Sequence, residues 1–319
     1  MMGGGTWTRA SYDRISKAKL DSGTAFAYTT STKMRGDYKA HESLRVVVNG
    51  KPVTREARDS DEHPESTPIV IGFDVTGSMG ENPKILLKSL KGLLGMLVRK
   101  DVVSDPQIAI AAYGDTHCDR VPLQLSQFES DNRIDDNLDN VFLEGMGGGN
   151  DGETSTALAW FVARHVVTDA WEKRGKKGYF FLVGDESALS VTQGQADEFM
   201  GEHTQHDITP ELAFGLVKEK WDTYFLLIDN YAAKWQESQK KYEKLLGKEH
   251  VLVLQDANAA PAIIASVIGT CEETVDDLVR DLVDAGFDSE VALVAASETS
   301  GKLGTTTKNA DMSYGDLGL

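Results

Sequence analysis

Apolar residues along the chain fall into two patterns. The first is the unbroken run: Ile69-Val70-Ile71-Gly72-Phe73, Gln107 to Tyr113, Gly178 to Val183, Thr223 to Ile228 and His250 to Leu254. Runs of this length without polar alternation suit strands buried on both faces, as in a parallel sheet with helices on each side. The second pattern has helical spacing. It appears in Leu86, Leu90, Leu93 and Leu97 after an Asn82-Pro83 start, and in Leu158, Phe161, Val162 and His165. It recurs in Leu212, Phe214 and Leu216 after Pro210, around Trp235 to Leu246, and near Ala260 to Ile268. The first of these helices is expected to reach about Lys100, with Gly92 and Gly95 marking close packing on the sheet. Strands alternating with helices predict an α/β domain over residues 67–269.

The flanks read differently. Residues 1–66 are polar, with one short apolar alternation, Leu44 to Val48, closed by the turn dipeptide Asn49-Gly50. They predict an arm with one hairpin, and the charged, aperiodic run from Arg55 to Ser66 places the domain boundary at its end. In residues 270–319, Thr270 and Glu273 form a capping box for an acidic amphipathic helix carrying Val275, Leu278, Val279 and Leu282 and ended by Gly286. Its apolar stripe is expected to pack on its own domain, with a small, polar and flexible tail from Ser300 onward. Between Glu129 and Glu144, Leu138, Val141 and Phe142 fit one face of a helix. Asp131, Asp135, Asp136 and Asp139 then form its wet side. A calcium loop starting at Asp135 fails, because Asn140 stands where glycine is needed and Met146 where the bidentate glutamate is needed.

Charge narrows the partners. A formal net charge of −17 repels phosphate backbones, so nucleic-acid binding is disfavoured. No run of apolar residues is long enough to span a membrane, and Met1 to Trp7 lacks the apolar core of a signal peptide. A cytoplasmic protein without a membrane partner is expected. Cys118 and Cys271 form no CxxC unit, so neither a disulfide framework nor a zinc knuckle is indicated. Gly114 to Asp119 groups His117, Cys118 and Asp119 without a second half and reads as a polar loop, and the His203/His206 pair lacks the glutamate of a zinc helix. His165, on an apolar helical face, reads as a satisfied core histidine.

The candidate chemistry lies where the first buried run ends. Asp74-Val75-Thr76-Gly77-Ser78 places a carboxylate and two hydroxyls on one tight loop at the carboxyl end of a strand, where ligands bind in open α/β sheets. Hard cations such as Mg²⁺ take such oxygens. Gly184-Asp185-Glu186 repeats the strand-then-carboxylate arrangement, and Asp185 is the choice there. The glycine-rich stretch Gly145 to Glu153 matches neither GxxxxGK[ST] nor GxGxxG, so it does not read as a nucleotide loop.

With Asp74, Thr76 and Ser78, then Gly147 to Glu153, then Asp185 in that order, the chain resembles the von Willebrand factor type A domain and its metal-ion-dependent adhesion site. Thr76 replaces the usual first serine and keeps the hydroxyl. The resemblance covers residues 67 to about 269. It implies a three-layer, Rossmann-like fold with a mainly parallel six-stranded sheet and one antiparallel edge strand, the latter matching Val121 to Leu125. It also implies a metal set of Asp74, Thr76, Ser78 and Asp185. The third element comes from the glycine-rich loop, with Asn150 and Asp151 as first candidates, Glu153 beside them, and Thr154 and Thr156 behind. The ion expected is Mg²⁺ or Mn²⁺. The function implied is binding and not catalysis: one coordination position is completed by an acidic residue of a protein partner. Cytoplasmic bacterial and phage members work with AAA+ ATPases of the MoxR or chelatase kind. Two other readings stay open. One is a metal-dependent hydrolase or phosphoryl-transfer enzyme, which lacks the Asp-x-Asp of haloacid-dehalogenase-type phosphatases because Thr76 stands in the second acidic position. The other is an assembly protein with a vestigial site.

Overall fold

The structure, a computed structural model, describes residues 27–303 apart from 92, 100–101, 132, 145–152, 230–234, 275–277 and 286. A first helix, α1 (Ala27–Met34), precedes a two-residue hairpin of β1 (Val47–Val48) and β2 (Lys51–Pro52), then β3 (Arg55–Ala57) and β4 (Thr67–Asp74). Asn49 and Gly50 form the hairpin turn with φ of 53° and 70°, the double positive φ that a type I′ turn requires. Two helices follow, α2 (Asn82–Ser89) and α3 (Leu93–Arg99), then β5 (Pro106–Tyr113), β6 (Leu123–Leu125) and α4 (Arg133–Asp139). Next come α5 (Ser155–His165), β7 (Val166–Thr168), α6 (Asp169–Arg174) and β8 (Gly178–Gly184). The rest is α7 (Pro210–Lys220), β9 (Trp221–Ile228), α8 (Trp235–Leu246), β10 (Val251–Leu254), α9 (Ala260–Cys271), α10 (Leu278–Ala285) and α11 (Ser289–Leu303).

The main sheet has the order β10-β9-β8-β4-β5-β6, parallel throughout except for antiparallel β6 at one edge. This is the doubly covered, mainly parallel sheet that the sequence resemblance implies. Every residue of β4, β5 and β8 is buried, which is why their sequences carry no polar alternation. Successive side chains of β4 enter opposite layers. Ile69, Ile71 and Phe73 join a core with Leu86, Leu97, Ile264 and Ile268, while Val70 joins Leu158, Phe161, Phe214 and Tyr242 on the other face. Gly72 belongs to the second layer, where a Cβ would stand 2.5 Å from Leu158 Cδ2, so glycine is what lets α5 lie close over β4. The chain passes from β4 to β5 on one side and later returns to β8 on the other. The carboxyl ends of β4 and β8 therefore flank a topological switch point.

Several local expectations are corrected. The helix after the Asp74 loop is two pieces, interrupted after Ser89. The Glu129–Glu144 helix ends at Asp139, and Val141 and Phe142 are buried beyond it. Asp136 is exposed as expected, but Asp135 is 5% exposed. Thr270 caps no new helix: the buried stripe of Ile263, Ile264, Val267 and Ile268 carries α9 through to Cys271, and the chain turns at Glu273 with φ of 55°. Val275 and Gly286 lie outside the described residues.

The two flanks are fastened to the domain. Leu44 is fully buried in the main core, β3 pairs in parallel with β7, and Arg58 donates to Asp169 (2.8 Å) and Glu172 (2.7 Å). At the other end Ala292, Ala295 and Ala296 of α11 enter the same core, and Glu298 accepts the free Val253 amide of edge strand β10 at 2.9 Å. Small residues let this helix approach closely.

His165 is satisfied, as read from the sequence: its Nε2 lies 2.8 Å from Glu202, which also accepts from Arg164 (2.8 Å) and Trp160. Burial raises the Glu202 carboxyl, and these three donors outweigh it and hold the group down at about 2. Its contribution is therefore present above the ordinary glutamate range and lost as pH falls toward about 2. Glu202→Ala is expected to cost about 2–4 kcal/mol, read as a lowered urea midpoint at pH 7.

Candidate metal centre

Four of the six residues assigned from sequence meet at the switch point. Asp74 closes β4, fully buried, and its Oδ1 accepts the Thr76 amide at 2.7 Å. This short turn-back aims both hydroxyls of the loop toward the same place: Thr76 Oγ1 and Ser78 Oγ are 3.0 Å apart. Ser78 Oγ in turn donates to Asp185 Oδ1 at 3.1 Å, bridging the ends of β4 and β8. Asp185 and Thr76 are buried, whereas Gly77 and Ser78 are exposed, so the cluster opens to solvent through the loop itself. The other two, Asn150 and Asp151, lie outside the described residues.

Glu153, a secondary candidate from sequence, stands with the cluster. It is fully buried at the entrance to α5, where its backbone bonds to Ser187 and Leu189 on the loop after Asp185. Its carboxylate accepts the Ser155 amide and the hydroxyl of Tyr242 on α8, and that hydroxyl also lies 2.7 Å from Ser155 Oγ. Thr154 is committed elsewhere: its hydroxyl donates to Gly114 O (2.6 Å) and accepts the Thr116 amide (3.0 Å), tying α5 to the loop after β5. Thr156 Oγ1 is buried with no hydrogen-bond partner among the described residues. Beneath Asp74, Tyr113 donates to Val183 O at 2.9 Å. Neither tyrosine carries a sequence signal, since both are set by packing from distant elements. Tyr242→Phe, which strips a donor from a buried carboxyl, is expected to cost about 1–3 kcal/mol in a denaturant titration.

Electrostatics mark this spot as short of positive charge. Burial pushes the Asp74 carboxyl well above the ordinary aspartate range, and the nearby Glu153 and Asp185 charges push it further. Burial likewise lifts Glu153 to about 8, against the hydrogen bonds from Tyr242 and Ser155. Asp74 Oδ2 is buried without a hydrogen-bond partner among the described residues. A buried carboxylate oxygen left without a donor is costly, and either a proton or a bound cation would satisfy it. Among the described residues no three His, Cys, Asp or Glu side chains form a ligand set alone, so an ion here needs a mixed set of carboxylates and hydroxyls. That set suits a hard cation. The His117 loop is closed on itself, with His117 Nδ1 at 2.8 Å and Cys118 Sγ at 3.3 Å from Asp115, in keeping with the polar-loop reading.

No family profile and no curated protein matches the chain. Solved structures do. The pilus adhesin SpaC from Lactobacillus rhamnosus GG is similar over 69% of this chain and 31% of the adhesin, at 11% identity and a TM-score of 0.47. This chain thus spans under a third of that relative's length. Proximal thread matrix protein 1 from the mussel byssus is similar over 65% of this chain and 48% of its own, at 14% identity and a TM-score of 0.45. The vWF domain of a type V pili tip protein from Porphyromonas gingivalis is similar over 66% of this chain and 94% of its own, at 12% identity and a TM-score of 0.43.

Proposed function

We propose that this chain is a divalent-metal-dependent protein-binding module, with Mg²⁺ or Mn²⁺ held by Asp74, Thr76, Ser78 and Asp185 and a third element from the loop that ends at Glu153. The observation that carries the reading is the convergence of Thr76, Ser78 and Asp185 on a buried Asp74 whose second oxygen has no hydrogen-bond partner among the described residues. A bound cation would supply positive charge in a buried acidic pocket and would attract a further oxygen ligand. The chain's own residues do the rest. Asp74 and Asp185 compensate the charge, Thr76 and Ser78 contribute neutral oxygens, and the exposed Gly77-Ser78 edge admits the incoming group. Because two of the ligands are neutral, an acidic side chain of a protein partner is the natural completion.

From the family resemblance we place this activity in the cytoplasm, beside an AAA+ ATPase of the MoxR or chelatase kind as partner. The competing enzyme reading is tested together with the first. Calorimetric titration with Mg²⁺ and Mn²⁺ is expected to show one site, and a panel of phosphate esters is expected to show no turnover. Turnover lost on Asp74→Ala would replace the binding module with an enzyme; absence of any metal binding would leave an assembly protein.

A further inference from the structure

Beside the candidate metal centre the surface drops into a cleft of about 780 Å³, lined by Thr76, by Lys33 and Met34 of α1, and by Pro83, Lys84 and Leu143. Thr76 belongs to both features, so whatever completes the ion continues into this cleft. The α1 wall is held in place. Thr29 Oγ1 donates to Val141 O (3.0 Å) and accepts the Leu143 amide (3.1 Å), and Lys33 Nζ donates to Glu144 O (2.7 Å) above the Phe142 ring. The cleft is thus shaped before anything binds.

Its chemistry runs against that of the molecule. In a chain of net charge −17, the ionisable residues lining the cleft, among the described residues, are two lysines and one acid, Glu81. Lys33 is bonded to a backbone carbonyl, which leaves two of its ammonium donors for other acceptors. Lys84 is held by Glu81 in an exposed pair at 2.8 Å, the kind of contact that exchanges readily for another carboxylate. Met34 is 83% exposed on the rim, and Pro83 and Leu143 are apolar.

Resting on the proposed metal reading, we infer that the cleft receives an extended acidic segment of the partner protein. One carboxylate completes the ion at Thr76 and Ser78, a second reaches the ammonium of Lys33, and an aliphatic side chain between them lies against Met34, Pro83 and Leu143. The position of α1 then selects among acidic partners, which a metal site alone does not do.

The test uses the full chain in Mg²⁺ and fluorescein-labelled decapeptides carrying an aspartate and a glutamate separated by one to four leucines, read by fluorescence anisotropy. Mg²⁺ affinity of every variant is measured separately by calorimetry. At least one spacing is expected to bind, and replacing its glutamate by glutamine or introducing Lys33→Glu is expected to weaken it about tenfold or more. Lys33→Gln, a milder change, should weaken it less, and all variants should keep wild-type Mg²⁺ affinity. If Mg²⁺ binds but no peptide does, or if Lys33→Glu and the glutamine peptide bind as tightly as the originals, the cleft inference is overturned while the metal reading stands. If Mg²⁺ does not bind, the metal reading fails and takes this inference with it.

Discussion

In saturating Mg²⁺ the protein is expected to melt roughly 5–10 °C higher than in EDTA, and Asp74→Ala to lose that response entirely. The size follows from linkage. A ligand at about a hundred times its dissociation constant stabilises the state it binds by about 2.7 kcal/mol, and each kcal/mol moves the midpoint of a domain this large by a few degrees. The substitution removes a fully buried carboxylate from the end of β4 and leaves the rest of that strand as it is. In EDTA the variant is expected to melt at or above the wild type, because Asp74 is held beside Glu153 and Asp185 without compensating positive charge. The same variant should lose metal-dependent capture of acidic peptides while remaining folded by circular dichroism. A variant that still gains stability from Mg²⁺ would show that the ion binds elsewhere and would sink the assignment.

Stability of the metal-free protein is expected to fall as pH rises, the reverse of the usual behaviour of paired carboxylates. Glu153 is pushed up to about 8, chiefly by burial, and Asp74 well above its ordinary range by burial and then by its acidic neighbours. Between the ordinary carboxylate range and about pH 8, the folded protein keeps protons that the unfolded chain has released. Stability is therefore fully present below the unfolded values and is lost as pH rises through the folded ones. For Glu153 alone the swing is on the order of 4 kcal/mol. Urea titrations in EDTA at pH 5 and pH 8.5 would read it, and Glu153→Gln should reduce the difference, leaving the share carried by Asp74. Mg²⁺ works in the opposite sense, since it favours the ionised groups, so its affinity should climb over the same interval. A metal-free protein equally stable at both pH values would show that these carboxyls are not held protonated by the fold.

The sequence by itself determined the strands and the loop between Asp74 and Ser78, because both are local. A strand buried on two faces must be apolar throughout, so β4, β5, β8 and β9 announce themselves, and the hydroxyls that face Asp74 are only two and four residues away. Asp185 was legible for the same reason, as the first carboxylate past a buried strand. What the tertiary structure decided was everything that depends on elements far apart in the chain. Tyr242 meets Glu153 across 89 residues and Thr29 meets Val141 across 112, and no periodicity encodes such pairs. Residues 1–66 read as a polar arm because their few apolar side chains make no repeating pattern. In the fold, single anchors such as Leu44 and Arg58 suffice, since the surface that receives them is built by other segments. Thr270 shows the converse: its spacing to Glu273 satisfies a helix start, but the buried stripe of α9 had more to gain by continuing, and packing overrode the local signal.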